Sequence, residues 1–336
     1  MNFRPLRKPS QIAFCLMMLL RPGGARGTEC ERMEYMMGTT ALIRVWADDS
    51  EACDRALVAG FLTLHRVDGL LSTYQTETPL SQLNRTAHVG WVDVGSDLLE
   101  VLRLARMFHN LSEGAFDPTV LPLMRLWGFR GGMPSVPQGH SIQTVLARVG
   151  MELVEIDSSR QKVRFARKGV ELDFGGIGKG IALDRAADAL RTEKARSGFL
   201  DLGGNLMAFG PSASGPVAVV NPETAEGLFG TISLSDAAIA TSGGYERYIM
   251  IEGRRYGHVM DPRSGRPADS LLSATVLARD GATADALSTA VYVLGVEDGV
   301  RLVESVDGAE AVLIWSQGGE VRHRVTEGLR SRFEGP

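Results

Sequence analysis

ELDFGGIGKGIALDRAADAL, residues 171–190, joins an extended segment to a helix through a glycine-rich turn. An extended run over 170–173 leads into glycines at 175, 176, 178 and 180, and apolar residues at helical spacing follow from Gly180 to Arg191. The pattern predicts a short strand, a tight turn and a helix. The first N–H groups of a helix lack partners within it and the helix dipole favours an anion there, so a glycine-lined helix start suits a phosphate. The two common nucleotide loops do not fit. A Walker loop needs Gly at 173 and Ser or Thr at 180, where this chain has Asp173 and Gly180, and the glycine spacing is not G-x-G-x-x-G. A plain connecting turn without a ligand has the same look, so the motif alone leaves both readings open.

Upstream, Ala41–Ala47 alternates as a strand, and Ser50–Leu71 repeats apolar residues at helical spacing with Ser50 as its expected N-cap. A loop over 72–84, a helix over 96–112, a Gly/Pro-rich exposed excursion over 128–139 and short strands near 153–157 and 162–166 follow. Downstream, strands are expected at 198–202, 206–209, 217–221, 227–234, 238–242 and 248–251, then a helix over 283–294 and a late strand at 311–315. Strand clusters with helices set between them predict an α+β fold, not a doubly wound parallel sheet. No repeat, low-complexity tract or long linker divides the chain, so one folded unit is expected over 33–336.

Three further stretches carry chemistry. ATADALSTAVYVLG, residues 282–295, puts Asp285, Ser288 and Thr289 on one helix face. One carboxylate with hydroxyls and carbonyls is a sparse hard-oxygen set that suits Mg²⁺, although Thr283 as N-cap and Asp285 as a first-turn acid explain the same residues. SGGYERY and GRRYGHVMDPRSGRPA, within 242–268, frame His258 between two turns, where it serves either structure or proton transfer. Tyr74, in a polar loop, is the candidate for stacking on a flat heterocycle, whereas Phe116, Trp127 and Phe129 read as core.

The 336 residues carry a net charge of −4, so no broad nucleic-acid surface is expected. Arg4, Arg7 and Lys8 ahead of an apolar run from Ile12 to Leu20 read as an export signal over 1–28, because the run is too short for the ~20 residues of a membrane-spanning helix. Lipid attachment at Cys15 or Cys30 has no supporting context. Cys53, on a helix, is expected as a buried free thiol, with a Cys30–Cys53 disulfide open to an exported chain.

The order of these pieces resembles the ApbE family, the FAD:protein FMN transferases, from about residue 35 to 315. The resemblance rests on MGTT at 37–40, STYQ and SQLN within 72–84, GAFDPTV to LWGF over 114–129, ELDFGGIGKG at 171–180, DLGGNL at 201–206, SGGYER at 242–247, GHVMDPRSGRP at 257–267 and ADALSTAVYVLG at 284–295. It implies a single mixed α/β domain with T-fold-like character, FAD as substrate and Mg²⁺ as metal. It further implies FAD contacts at Met37, Tyr74, Ala115, Phe116, Asp117, Asp173, Lys179 and Val259, and a metal site from Asp285, Ser288, Thr289 and the Gly176 carbonyl. His258 and Asp285 are then the catalytic candidates. Ile181 departs from the Tyr that many members carry, a packing change. The implied acceptors are exported electron-transport subunits or FMN-binding domains with a modified Thr or Ser, in the periplasm or at the inner membrane. Two rivals use the same residues: an FAD pyrophosphatase that releases FMN, and a periplasmic flavin-binding protein without turnover. Asp280-Gly281-Ala282-Thr283-Ala284 resembles the acceptor motif itself, but Thr283 is expected to serve the helix start.

Overall fold

Alternation of apolar side chains builds a sheet with two buried faces. In the computed structural model, which describes residues 27–225 and 227–336, eight strands run in the order 28–36, 39–47, 197–202, 205–209, 237–243, 273–278, 310–317 and 320–325. Every neighbouring pair is antiparallel. Ile43, Val45, Leu200 and Val276 point to one face and join the larger core, while Leu42, Phe199, Leu277 and Val312 point to the other. A three-stranded sheet of Gly215–Val220, Leu228–Leu234 and Phe333–Glu334 covers that second face. The helices are α1 (Ser50–Leu71), α2 (Pro79–Thr86), α3 (Gly95–Leu111), α4 (Leu121–Trp127), α5 (Gly139–Leu146), α6 (Gly178–Thr192), α7 (Gly281–Leu294) and α8 (Val296–Glu304). Of these, α1, α6 and α7 lie on the first face of the sheet. The α+β expectation holds as a single mixed domain.

Several local expectations are corrected. Residues 170–173 are extended but form no strand: Leu172 N donates to Asn84 Oδ1 and Asn84 Nδ2 donates to Leu172 O, both at 2.8 Å. A side-chain amide replaces the strand neighbour. Asp49, not Ser50, caps α1, accepting from Ala52 N at 2.8 Å. Asp280, not Thr283, caps α7, which therefore starts at Gly281. The 72–84 region contains α2, capped by Thr78 with Pro79 at its first turn. Cys53 is not a free thiol, since the strand Thr28–Met36 brings Cys30 beside it and the two form a disulfide. That strand begins within the segment expected as an export signal over 1–28, of which residues 1–26 lie outside the described residues.

Helices α6 and α7 cross at their N-termini and cap each other. Asp285 of α7 accepts a hydrogen bond from Gly180 N of α6 at 2.9 Å, and Asp184 of α6 accepts from Gly281 N at 2.6 Å and Ala282 N at 2.8 Å. Each carboxylate satisfies donors that its neighbour's helix leaves unpaired. The contact has room for no side chain: a Cβ on Gly180 would lie 2.1 Å from Gly281 O, and one on Gly281 would lie 2.6 Å from Gly180 O. Gly180→Ala gains about 1 kcal/mol of helix propensity, but the overlap is backbone on backbone and forces the helices apart. We expect a net loss of about 3 kcal/mol or more in urea unfolding; stability at or above wild type would contradict the crossing.

Candidate active site

The helix crossing places oxygens from three segments together. Asp285 is buried, and its second carboxylate oxygen has no hydrogen-bond partner among the described residues. One turn on, Thr289 Oγ1 lies 3.4 Å from Gly176 O and 3.5 Å from Ser242 Oγ, and Ser288 Oγ lies 3.0 Å from Ser242 Oγ. Gly176 sits close under this cluster, because a Cβ there would stand 2.9 Å from Thr289 Oγ1 and 3.3 Å from Phe116 Cε2 and would push the Thr289 side chain aside. Among the described residues no three His, Cys, Asp or Glu side chains gather as a metal site. The cluster is of another kind, one carboxylate with hydroxyls and a carbonyl, which is the donor chemistry Mg²⁺ takes when it keeps positions for water and phosphate. The first-turn role left open for Asp285 is excluded: it caps α6, not its own helix.

Beside the oxygens lies a recess with positive charge. Lys179 Nζ, in the first turn of α6, donates to Asn205 Oδ1 at 3.0 Å. Asn205 is buried and follows the two-residue turn Gly203-Gly204, whose positive φ angles of 62° and 89° suit a hairpin. Met37-Gly38, with φ 48° and 75°, makes the matching turn of the first hairpin, and Arg247 Nη2 comes within 3.4 Å of where a Gly38 Cβ would stand. His258 Nδ1 lies 3.1 Å from Arg247 O. A carbonyl only accepts, so Nδ1 carries the proton and Nε2 is left with its lone pair. His258 and Glu246 keep accessible surface yet have protein packed around them, as on a cleft wall. Desolvation and then the Arg247 and Lys179 charges push the imidazole down to about 4, against the opposing Arg247 carbonyl and Asp173. Desolvation raises the Glu246 carboxyl, and Lys179 and Arg247 pull it the other way.

The rim carries the ring-binding candidates. Asp173 Oδ1 accepts from Gly175 N at 2.8 Å; its Oδ2 accepts from Thr73 Oγ1 at 3.1 Å and from Arg130. The Arg130 guanidinium lies over the Tyr74 ring, 3.9 Å from its centroid. Asp173 N donates to Pro118 O at 2.7 Å, tying the turn to the segment after Asp117. The Asp117 carboxylate faces inward: Oδ1 accepts from Thr119 N at 2.7 Å and Oδ2 lies 3.2 Å from His109 Nδ1. Ala115 and Phe116 are buried as well, so none of these three side chains is presented at the rim. Val259 is buried below His258 and accepts from Ala268 N at 2.9 Å.

The structure thus brings Met37, Tyr74, Asp173, Gly176, Lys179, His258, Asp285, Ser288 and Thr289 to the region around the α6–α7 crossing. It adds Ser242, Asn205, Glu246 and Arg247, which lie within the SGGYER and DLGGNL motifs, and Arg130, which no motif marked.

Hard oxygens, cations and an exposed aromatic ring thus lie around the α6–α7 crossing, groups of the kind that bind a ligand with anionic and flat-ring parts. The ApbE family model matches residues 37–313. An FAD:protein FMN transferase of Klebsiella pneumoniae is 30% identical over 83% of this chain and 87% of its own length. Its counterpart from Haemophilus influenzae is 31% identical over 77% of this chain and 78% of its own. Among solved structures, the ApbE protein of Thermotoga maritima has a TM-score of 0.82 at 31% identity, covering 91% of this chain and 99% of its own. The flavinyl transferase ApbE of Pseudomonas stutzeri has a TM-score of 0.80 at 27% identity, covering 92% and 98%. The chain belongs to the ApbE family.

His258 gives a test that needs no substrate. Nitrogen-15 NMR of the labelled imidazole should show the Nδ1–H tautomer at pH 7 and a midpoint near 4; a midpoint at the ordinary 6.5 would contradict the desolvated, cation-flanked setting.

Proposed function

We propose that this protein transfers the FMN half of FAD onto a Thr or Ser hydroxyl of an acceptor protein, releasing AMP, with magnesium at the Asp285 cluster. The observation that carries the reading is the single bond from Gly180 N to Asp285, which joins the glycine-lined helix start to the hard-oxygen cluster. A diphosphate here meets the Lys179 ammonium on the same side as these oxygens.

Bonds and protons then balance simply. The acceptor hydroxyl oxygen bonds to the FMN-side phosphorus, the bridging P–O bond breaks with its electron pair going to AMP, and the hydroxyl proton passes to Nε2 of His258. Because that imidazole is neutral at pH 7, it is already in the accepting form. Magnesium held by Asp285, Thr289 and the Gly176 carbonyl, with Ser288 and Ser242 beside them, would supply charge stabilisation for the departing phosphate. Tyr74 and Asp173 position the ligand along the rim, and Met37, at the hairpin tip, lies beside the start of α6.

The names of the relatives favour a protein hydroxyl over water as nucleophile. An acceptor in an exported electron-transport subunit or FMN-binding domain, and a periplasmic place for the enzyme, complete the reading. The Cys30–Cys53 disulfide supports that compartment, since disulfides persist where the surroundings oxidise. Among the described residues no helix is long and apolar enough to cross a membrane.

Incubation with FAD, Mg²⁺ and an FMN-binding acceptor domain should give a fluorescent acceptor band in a denaturing gel and one AMP per label. Asp285→Ala should cut both on the order of a hundredfold or more; full activity in that variant would sink the metal assignment. Free FMN with an unlabelled acceptor would select the hydrolase, and FAD binding without AMP would select the storage protein.

A further inference from the structure

Arg130 is a side chain the transfer reaction does not call for, yet it is held more firmly than a loop residue needs. It leaves the glycine-rich excursion after α4, where Gly128 at φ 84° turns the chain so sharply that a Cβ would lie 2.7 Å from Pro134 Cα. The base of the excursion is pinned by Trp127 Nε1 donating to Gly265 O at 2.9 Å. From there the Arg130 guanidinium reaches a carboxylate and an aromatic face together. Its side chain is 13% exposed and that of its ion-pair partner Asp173 is 7% exposed, while Tyr74 is 72% exposed.

That contrast is informative. An exposed tyrosine on a polar loop has no packing to fix its ring, and immobilising it on binding costs affinity. Here the guanidinium covers one ring face at 3.9 Å, and Asp173, which also holds Thr73 Oγ1 at 3.1 Å, fixes the guanidinium and the residue preceding Tyr74. One face of Tyr74 is therefore taken by protein and the ring plane is set. We propose that Arg130 positions Tyr74 as a fixed stacking platform for one flat ring of FAD, with the guanidinium on one face and the ligand ring on the other. The inference rests on the FAD reading above and adds a positioning residue to it. Only a planar cation does this work: a lysine keeps the charge beside Asp173 but cannot lie flat on the ring.

The test is calorimetric binding of FAD, FMN and AMP to wild type, Arg130→Lys, Tyr74→Leu and the double variant, with thermal melts alongside. Arg130→Lys should melt near wild type and bind FAD about fivefold to tenfold more weakly. The loss should appear with FMN or with AMP but not both, which identifies the stacked ring as isoalloxazine or adenine. In the Tyr74→Leu background, Arg130→Lys should cause no further loss, because the platform is already gone. Should Arg130→Lys be unstable, Arg130→Gln measured in the wild-type and Tyr74→Leu backgrounds serves instead and is expected to show the same loss only where Tyr74 is present. Wild-type affinity in Arg130→Lys, or losses that multiply in the double variant, would overturn the inference. Failure of the wild type to bind FAD would instead overturn the proposed function.

Discussion

Two carboxylates exchanged between two helix N-termini hold this site in place. Asp184 reaches from α6 to the start of α7, and Asp285 reaches from α7 to the start of α6, over a contact that only Gly180 and Gly281 can make. Helix ends in a protein interior must find partners for their free N–H groups. This pair solves that problem reciprocally, and so fixes the Lys179-bearing first turn of α6 against the oxygens of Asp285, Thr289 and Gly176. Sequence elements about a hundred residues apart, GGIGKG and ADALST, become one cleft wall through it.

The electrostatics of the cleft follow from the same placement. Lys179 projects from the first turn of α6 and Arg247 from the strand-end segment opposite, so His258 sits between two cations in a desolvated wall and stays neutral. Its proton is on Nδ1 because the Arg247 carbonyl accepts there. One residue thereby sets the tautomer through its backbone and lowers the basicity through its side chain. Glu246 keeps its carboxylate near these cations while desolvation works against its charge.

The long, strongly periodic elements were legible in the sequence. The bounds of α1 match the apolar repeat over 50–71, and the strands at 197–202, 205–209, 237–243 and 310–317 fall within a few residues of the alternation, whereas the sheet strands Ser273–Ala278 and Glu320–Val325 are not among the expected ones. The edge strand Thr28–Met36 was not legible, because its residues are mainly charged or polar, as suits an edge, and Cys30 was therefore not seen beside Cys53. Residues 170–173 were read as a strand because an extended segment looks alike whether its partner is a strand or the Asn84 amide. At the site, the oxygen cluster was visible as an i, i+3, i+4 set, but local spacing said nothing about what Asp285 capped. Ser242 and Asn205 lay in quoted motifs without a role, since only the sheet brings them to α7 and α6. Arg130 sits in a loop with no periodicity, and its role is purely tertiary.

The helix crossing is the proposed meeting place of metal and phosphate. Diffraction from crystals grown with FAD and Mn²⁺, collected near the manganese absorption edge, locates the metal directly. The account predicts one anomalous peak bounded by Asp285, Thr289 and the Gly176 carbonyl, with a diphosphate oxygen of FAD in its coordination sphere. FAD bound in the cleft with the metal elsewhere, or with no peak at that position, would contradict it.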